Sequence, residues 1–500
     1  MISDKFLLKE NRLSDFLLSD FLLFSFYLII TFLLYASSLS NYFVLDDFVR
    51  LKAASEGSLS ENFHFFPVPL LVYRIFYLIF GLNPVPVRIL HIIINSVVCF
   101  FVFKLSYRLF EHFDKDTYAD KDADDKTKLL KSFLCSFLFC VHYIHVETIV
   151  YFSELHEMFY SLFYITGLYA YICYRKSNKP AYLIYVFALY SASLLSKETA
   201  VSFIGCIFWG EVFLFKSTFY QFLKKYYILF IITFLFLASR YFLFPRLDLL
   251  QVSFDLIVIL AETFKNIIFT FTAFIVSLDF MLIKDIYKLN NANYVQTFLD
   301  VAKQYPLALL GISVSVIIYV LILKKRDKIT YISLIYILIT IASFVWLAGY
   351  ERYLYLPSAG FCILLIHYLF KISKENVFKE KIIMVILALY FTYNMYNLEM
   401  KESQWIRASE ISQSAVSRIL DLTRDLPADS KVYFKNIPGE YKSAWVLRYG
   451  IHEIPELFLN RKNLFFYYIS ERPADFRTNE SNVYVYDYYQ DILYKVINLQ

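Results

Sequence analysis

Glycine is scarce in this chain, with ten in 500 residues, alongside twelve prolines. Secondary transporters usually interrupt their spans with glycine or proline near mid-membrane, and so few glycines leave little for such breaks. Cysteine is equally thin. All six (Cys99, Cys135, Cys140, Cys173, Cys206, Cys362) fall inside apolar runs, where a thiol reads as a small buried hydrophobe, so they carry no information about redox compartment. Nor is there a strong excess of one charge. The 49 Lys and Arg against 44 Asp and Glu leave a formal +5, and the basic residues gather in short clusters between apolar runs, which excludes nucleic acid as a partner. No tandem repeat at about 33 to 45 residues and no low-complexity tract interrupts the chain.

What is abundant is apolar and aromatic surface, at 59% hydrophobic and 20% aromatic residues. This composition predicts a polytopic α-helical membrane protein. Apolar windows of about 20 residues place spans near 21–41, 87–107, 131–147, 156–174, 180–196, 198–215, 226–244, 306–323, 330–348, 354–370 and 382–398, about eleven in all. Residues 1–20 are mixed in charge, and the run behind them is too long for a signal peptide, so it reads as a retained first span. Residues 254–280 form a further apolar stretch, interrupted by Glu262 and Lys265. Counting it as a crossing would move "KKRDK" outside and spoil the positive-inside pattern, so it reads as an interfacial or re-entrant pair of amphipathic helices.

With the amino terminus inside, four polar groups reach the outer face: "LDDF", "HVETIVYFSELHE", "SKE" and "YERYLYLP". Ionisable residues gathered at one membrane depth are a site hypothesis by default. From about residue 401 the pattern changes to an amphipathic helix followed by alternating stretches ("KVYFKNI", "SAWVLRYG", "LFFYYI", "NVYVYDYY"). These predict a small extracytoplasmic α/β domain over 401–500, behind a membrane domain over 1–400 with outer loops at 42–86 and 245–305.

Asp46 and Asp47 are the sharpest chemical signal. A carboxylate at the interface accepts a proton from a hydroxyl nucleophile or holds a cation, and an adjacent like charge pushes one pKa upward, as suits a base. The plainer reading is a pair of solvated acids ending a span. "HVETIVYFSELHE" carries His145, Glu147, Glu154, His156 and Glu157 but no HExxH and no compact zinc spacing, so no protein metal cage is expected; a need for a divalent metal stays open. Glu147 and Glu154, seven apart, would share one helix face and line an acidic cleft, while the histidines read as interfacial packing. "LLSKETA" puts Lys197, a point charge suited to phosphate, next to Glu198 in a tight turn. A snorkelling pair is the plainer alternative. In "YERYLYLPSAGF", Arg352 offers a planar fork for phosphate, Glu351 can hold that fork, and Tyr353 and Tyr355 supply an interfacial aromatic pair. Arg240 is a further candidate cation, or a snorkelling span terminus.

The motifs "LDDF", "VHYIHVETIVYFSELHEMFYSLFY", "LLSKETAV", "ERYLYLPSAGFCILL" and "NLEMKESQW" resemble those of the GT-C class of polytopic glycosyltransferases. The similarity is to the transmembrane O-mannosyltransferases that end in tetratricopeptide repeats, and to bacterial relatives without them, over most of residues 30–405. It implies an inverting transferase that takes a sugar from a polyprenyl-phosphate carrier on the non-cytoplasmic face, with one of Asp46 and Asp47 as base. Glu147 would belong to the acidic cleft, and Lys197, Glu198 and Arg352 would border the carrier phosphate. The acceptor would be a protein, lipid or glycan, and a bacterial inner membrane fits the missing repeat array. The alternatives are a transporter or flippase for a lipid-linked or anionic substrate, and a non-catalytic assembly subunit. "NES" at 479–481 matches a glycosylation sequon by pattern only.

Overall fold

The computed structural model describes residues 19–61, 64–113, 121–243, 256–277, 296, 300, 303, 306–324, 327–344, 350–373, 377–447, 450–471, 482–489 and 492–495. The sequon and most of the 245–305 loop lie outside these residues. The chain is mostly helical, and each of the eleven apolar windows contains a helix. Among the described residues, five helices are long and apolar enough to cross a membrane: those within Asp20–Ser38, Val85–Phe113, Phe219–Leu243, Glu351–Ser373 and Phe378–Thr423. Asp125–Val141 with Tyr143–Val150, bent by 47°, makes a sixth if the pair is one span. This is the helix complement of a multi-pass membrane protein. The expected eleven crossings are not reached by length and composition, because helices such as Pro180–Leu194 and Lys328–Ala342 have 15 residues each. A full hydrocarbon crossing takes about 20.

Leu256–Ala273 is one continuous helix of 18 residues, where a pair was expected. No proline or glycine lies in it to break the turn. Its end is fixed by three side chains: Tyr143 donates its hydroxyl to the Ala273 carbonyl at 2.5 Å, and Tyr390 and His142 bond the Phe274 carbonyl at 2.5 and 3.1 Å.

The chain divides into two compact units. The first comprises residues 1–35, 91–149 and 155–399. Its interior is packed with apolar and aromatic side chains, and several of its buried polar groups bond one another, as a hydrocarbon setting favours. Tyr27 bonds Ser136, Asn95 donates to Thr31 at 3.3 Å, and Tyr355 donates to Asn95 at 2.7 Å. A wide π-turn, Gly210–Leu214, carries the buried Glu211, which accepts from Tyr226 at 2.8 Å, Ser217 at 2.7 Å and Tyr171 at 3.2 Å, with Arg175 at 3.4 Å. Glu211→Ala would strip these buried donors of their acceptor. It is expected to cost about 3 kcal/mol, measured as a lower thermal midpoint of the purified protein in detergent.

The second unit comprises residues 36–90, 150–154 and 400–500. The loop after the first span therefore groups with the C-terminal residues. The helix Val377–Thr423 contributes its first part to one unit and its last part to the other. Behind it, four strands form a sheet in the order Leu464–Tyr468, Ser430–Lys435, Val483–Tyr489, Ile492–Lys495. The first three run parallel and the last antiparallel. Val432, Phe434, Leu464, Phe466 and Tyr486 fill its buried side.

Candidate functional site

In the second unit, the two adjacent aspartates are held in different ways. Asp46 stands at the N-cap position of the helix Asp47–Glu56, but its side chain makes no capping bond and is half-exposed. Asp47 is fully buried. Its Oδ1 accepts from the Ser153 amide at 2.9 Å and the Ser153 hydroxyl at 2.6 Å, and its Oδ2 accepts from the Val44 amide at 2.9 Å. The Asp46 amide donates to the Tyr151 hydroxyl at 3.0 Å. Immediately before the pair, Leu45 has φ of 39°. A left-handed non-glycine residue costs about 1–3 kcal/mol and persists only where its surroundings impose it.

Burial pushes the Asp47 carboxyl up to about 7, against the pull of Arg88 and of the Ser153 and Val44 donors, with the Asp46 charge pushing the same way as burial. The charged form is therefore disfavoured on folding. Its stabilising contribution is full below the ordinary carboxyl range and is lost as pH rises through about 7. The predicted loss between pH 4 and 8 is on the order of 4 kcal/mol, and Asp47→Asn should flatten it. Thermal midpoints against pH for both proteins check this.

Arg88, buried in the same unit, donates to the Val150 carbonyl and to those of Asn41 and Tyr42 at 3.2 and 3.3 Å. It ties the stretch after the first span to the segment carrying Ser153. Neither Arg88 nor Ser153 was singled out from the sequence. For Arg88 a signal existed, an arginine at the head of a long apolar run.

In the first unit, Glu147, Lys197 and Arg352 come together. The Arg352 amide donates to Glu147 Oε2 at 3.1 Å, and its guanidinium reaches Glu147 Oε1 at 3.4 Å. That guanidinium lies 4.7 Å from the Tyr350 ring and 5.4 Å from Tyr353, while the Lys197 ammonium lies 4.3 Å from Tyr353. Two cations thus approach one tyrosine ring, a contact favoured by its quadrupole. Lys197 is ion-paired to the buried Glu157, so the four charged groups sum to zero. Glu157 lies in the "HVETIVYFSELHE" motif, but the sequence reading gave it no role. Its signal was an acid at the head of an apolar helix. Arg240 approaches Glu198 at 3.9 Å, and both are part-exposed. Glu351 is buried beside Arg352 in the short turn Glu351–Leu354.

Two expectations change, those for Tyr355 and for Glu147 with Glu154, while His145 serves packing as read but in the interior. Tyr355 is fully buried and bonded to Asn95, so it does not pair with Tyr353 at an interface. His145 is fully buried too, sharing a 2.7 Å hydrogen bond with Ser358 and packed against Phe139 and Tyr355. Glu147 and Glu154 share no helix face, because the helix Val146–Val150 stops and a separate 3-10 turn, Phe152–Glu154, begins. The break gives the Ser153 amide to Asp47.

No protein-family model matches this chain, and no curated protein is similar to it in sequence. Among solved structures it is similar to ArnT from Cupriavidus metallidurans, bound to undecaprenyl phosphate, at 10% identity and a TM-score of 0.48 over 89% of this chain and 85% of that one. It is also similar to the archaeal oligosaccharyltransferase AglB from Archaeoglobus fulgidus, in complex with an inhibitory peptide and a dolichol-phosphate, at 12% identity and a TM-score of 0.48. That match covers 89% of this chain and 64% of AglB.

Proposed function

We propose that this protein is a GT-C-class membrane glycosyltransferase that moves a sugar from a polyprenyl-phosphate carrier to an acceptor hydroxyl on the extracytoplasmic face. The observation that carries the reading is the division of labour in the aspartate pair. Asp47 has both oxygens engaged and anchors the turn, which leaves Asp46 with a half-exposed carboxylate free to accept a proton. In an inverting displacement Asp46 removes the acceptor's proton as its oxygen attacks the anomeric carbon, and the carrier phosphate departs with the bonding electrons. Arg352 and Lys197 stabilise the charge that develops on that phosphate. Glu147 and Glu157 hold the two cations in place, and both cations approach the Tyr353 ring.

A lipid-borne donor must keep its tail in hydrocarbon while its phosphate meets water, which suits ionisable residues at the ends of apolar helices. The test is mass analysis of envelope glycans and glycoproteins from cells with and without the gene. Loss of one sugar residue from a defined glycan identifies donor and acceptor together. Unchanged glycans alongside lost uptake or export of an anionic substrate would favour a transporter instead.

A further inference from the structure

The C-terminal residues reach the aspartate turn at four points, all within the second unit. The Leu45 amide donates to the Val446 carbonyl at 2.9 Å, directly on the left-handed residue. Gly450 packs so closely that a side-chain carbon there would land on the Leu45 carbonyl oxygen and lie 2.7 Å from the Phe48 ring. Lys52, one turn along the same helix, is ion-paired to Glu456, and the Phe48 and Phe458 rings meet at 6.2 Å.

We propose that Val446 and the segment 450–456 form a positioning element for the Asp46 carboxylate. The Val446 bond and the Gly450 contact act on Leu45, the residue whose unusual backbone angle sets the direction in which Asp46 leaves the chain. Leu45 prefers right-handed or extended angles when unconstrained, so releasing the clamp would let the turn relax and swing Asp46 away. Asp47, tied to Ser153 and Val44, would stay in place. The segment touches no reacting atom, and its role rests on the reading of Asp46 as the base.

The experiment uses the full chain in detergent, with the polyprenyl-phosphate sugar identified by the glycan comparison as donor. Gly450→Ala is expected to raise amide hydrogen exchange across residues 43–50 by about tenfold or more, leaving the helix Tyr355–Ser373 unchanged. It should lower kcat by about tenfold or more with the donor KM within about twofold, the signature of a lost transition-state arrangement. Glu456→Gln removes the Lys52 pair without touching backbone and should shift both readouts the same way by less. It carries the test where Gly450→Ala yields no folded protein. Wild-type exchange at 43–50, or loosened exchange with wild-type kcat, overturns the positioning role. Wild-type transfer in Asp46→Asn overturns the base assignment itself, and the catalytic part of this proposal with it.

Discussion

Asparagine in place of Asp46 is expected to lower sugar transfer by about a thousandfold, within the range of a lost general base, while the protein still inserts and folds. The replacement side chain keeps the size and the N-cap position but cannot take a proton. Its carboxamide would still face the same half-exposed environment, so stability should move by less than about 0.5 kcal/mol. The companion change separates the two acids. Asp47→Asn puts an NH2 group where three donors converge on a buried carboxylate. It should destabilise the second unit, with lost transfer following from a distorted turn. Thermal midpoints alongside single-turnover rates decide between these effects: Asp46→Asn should lose rate without stability, and Asp47→Asn should lose both. A full rate in Asp46→Asn, with or without loss in Asp47→Asn, would exclude Asp46 as the base.

Much of this arrangement was legible from residue type and position. Lys197 and Arg352 each stand beside an acid at the end of an apolar run, where a charge needs a reason, and both reach Tyr353. The helices followed the apolar windows because hydrocarbon-facing residues must satisfy their backbone within the helix. Three of the four C-terminal stretches followed their alternation into the sheet, while "SAWVLRYG" gives only the two-residue strand Ala444–Trp445; the parallel order was not legible, since a period of two does not say which strand lies beside which. The difference between Asp46 and Asp47 was not legible. It depends on Ser153, which arrives from a distant part of the chain and turns its amide inward only because a helix stops at Val150. Leu45 was equally hidden, since leucine gives no local hint of a left-handed angle, and the Val446 carbonyl that meets its amide lies about four hundred residues away in the chain. Tyr355 misled for the converse reason: a polar aromatic near a span end serves packing as readily as an interface, and here Asn95 satisfies its hydroxyl in the interior.

Arg352→Ala is expected to lower transfer by about a hundredfold to a thousandfold, corresponding to about 3–4 kcal/mol of barrier, the usual effect of removing one preorganised electrostatic donor. The guanidinium contacts Glu147 at 3.4 Å, and its planar fork carries the kind of N–H donors that a phosphate accepts. Arg352→Lys keeps the charge but replaces the planar fork with a point donor on a flexible stem, so an intermediate loss is expected. The backbone amide of residue 352 holds Glu147 in either variant, which keeps the carboxylate from being orphaned. The two substitutions are therefore comparable in fold and differ in phosphate chemistry. Binding of a polyprenyl phosphate without its sugar separates ground-state from transition-state effects. If Arg352 grips the phosphate throughout, affinity falls in step with rate. If it acts on the leaving phosphate alone, kcat falls while affinity holds, because only interactions that strengthen on the way to the transition state accelerate the step. Equal, wild-type affinity and rate in both variants would remove Arg352 from the donor site and leave its ion pair with Glu147 as a purely architectural link.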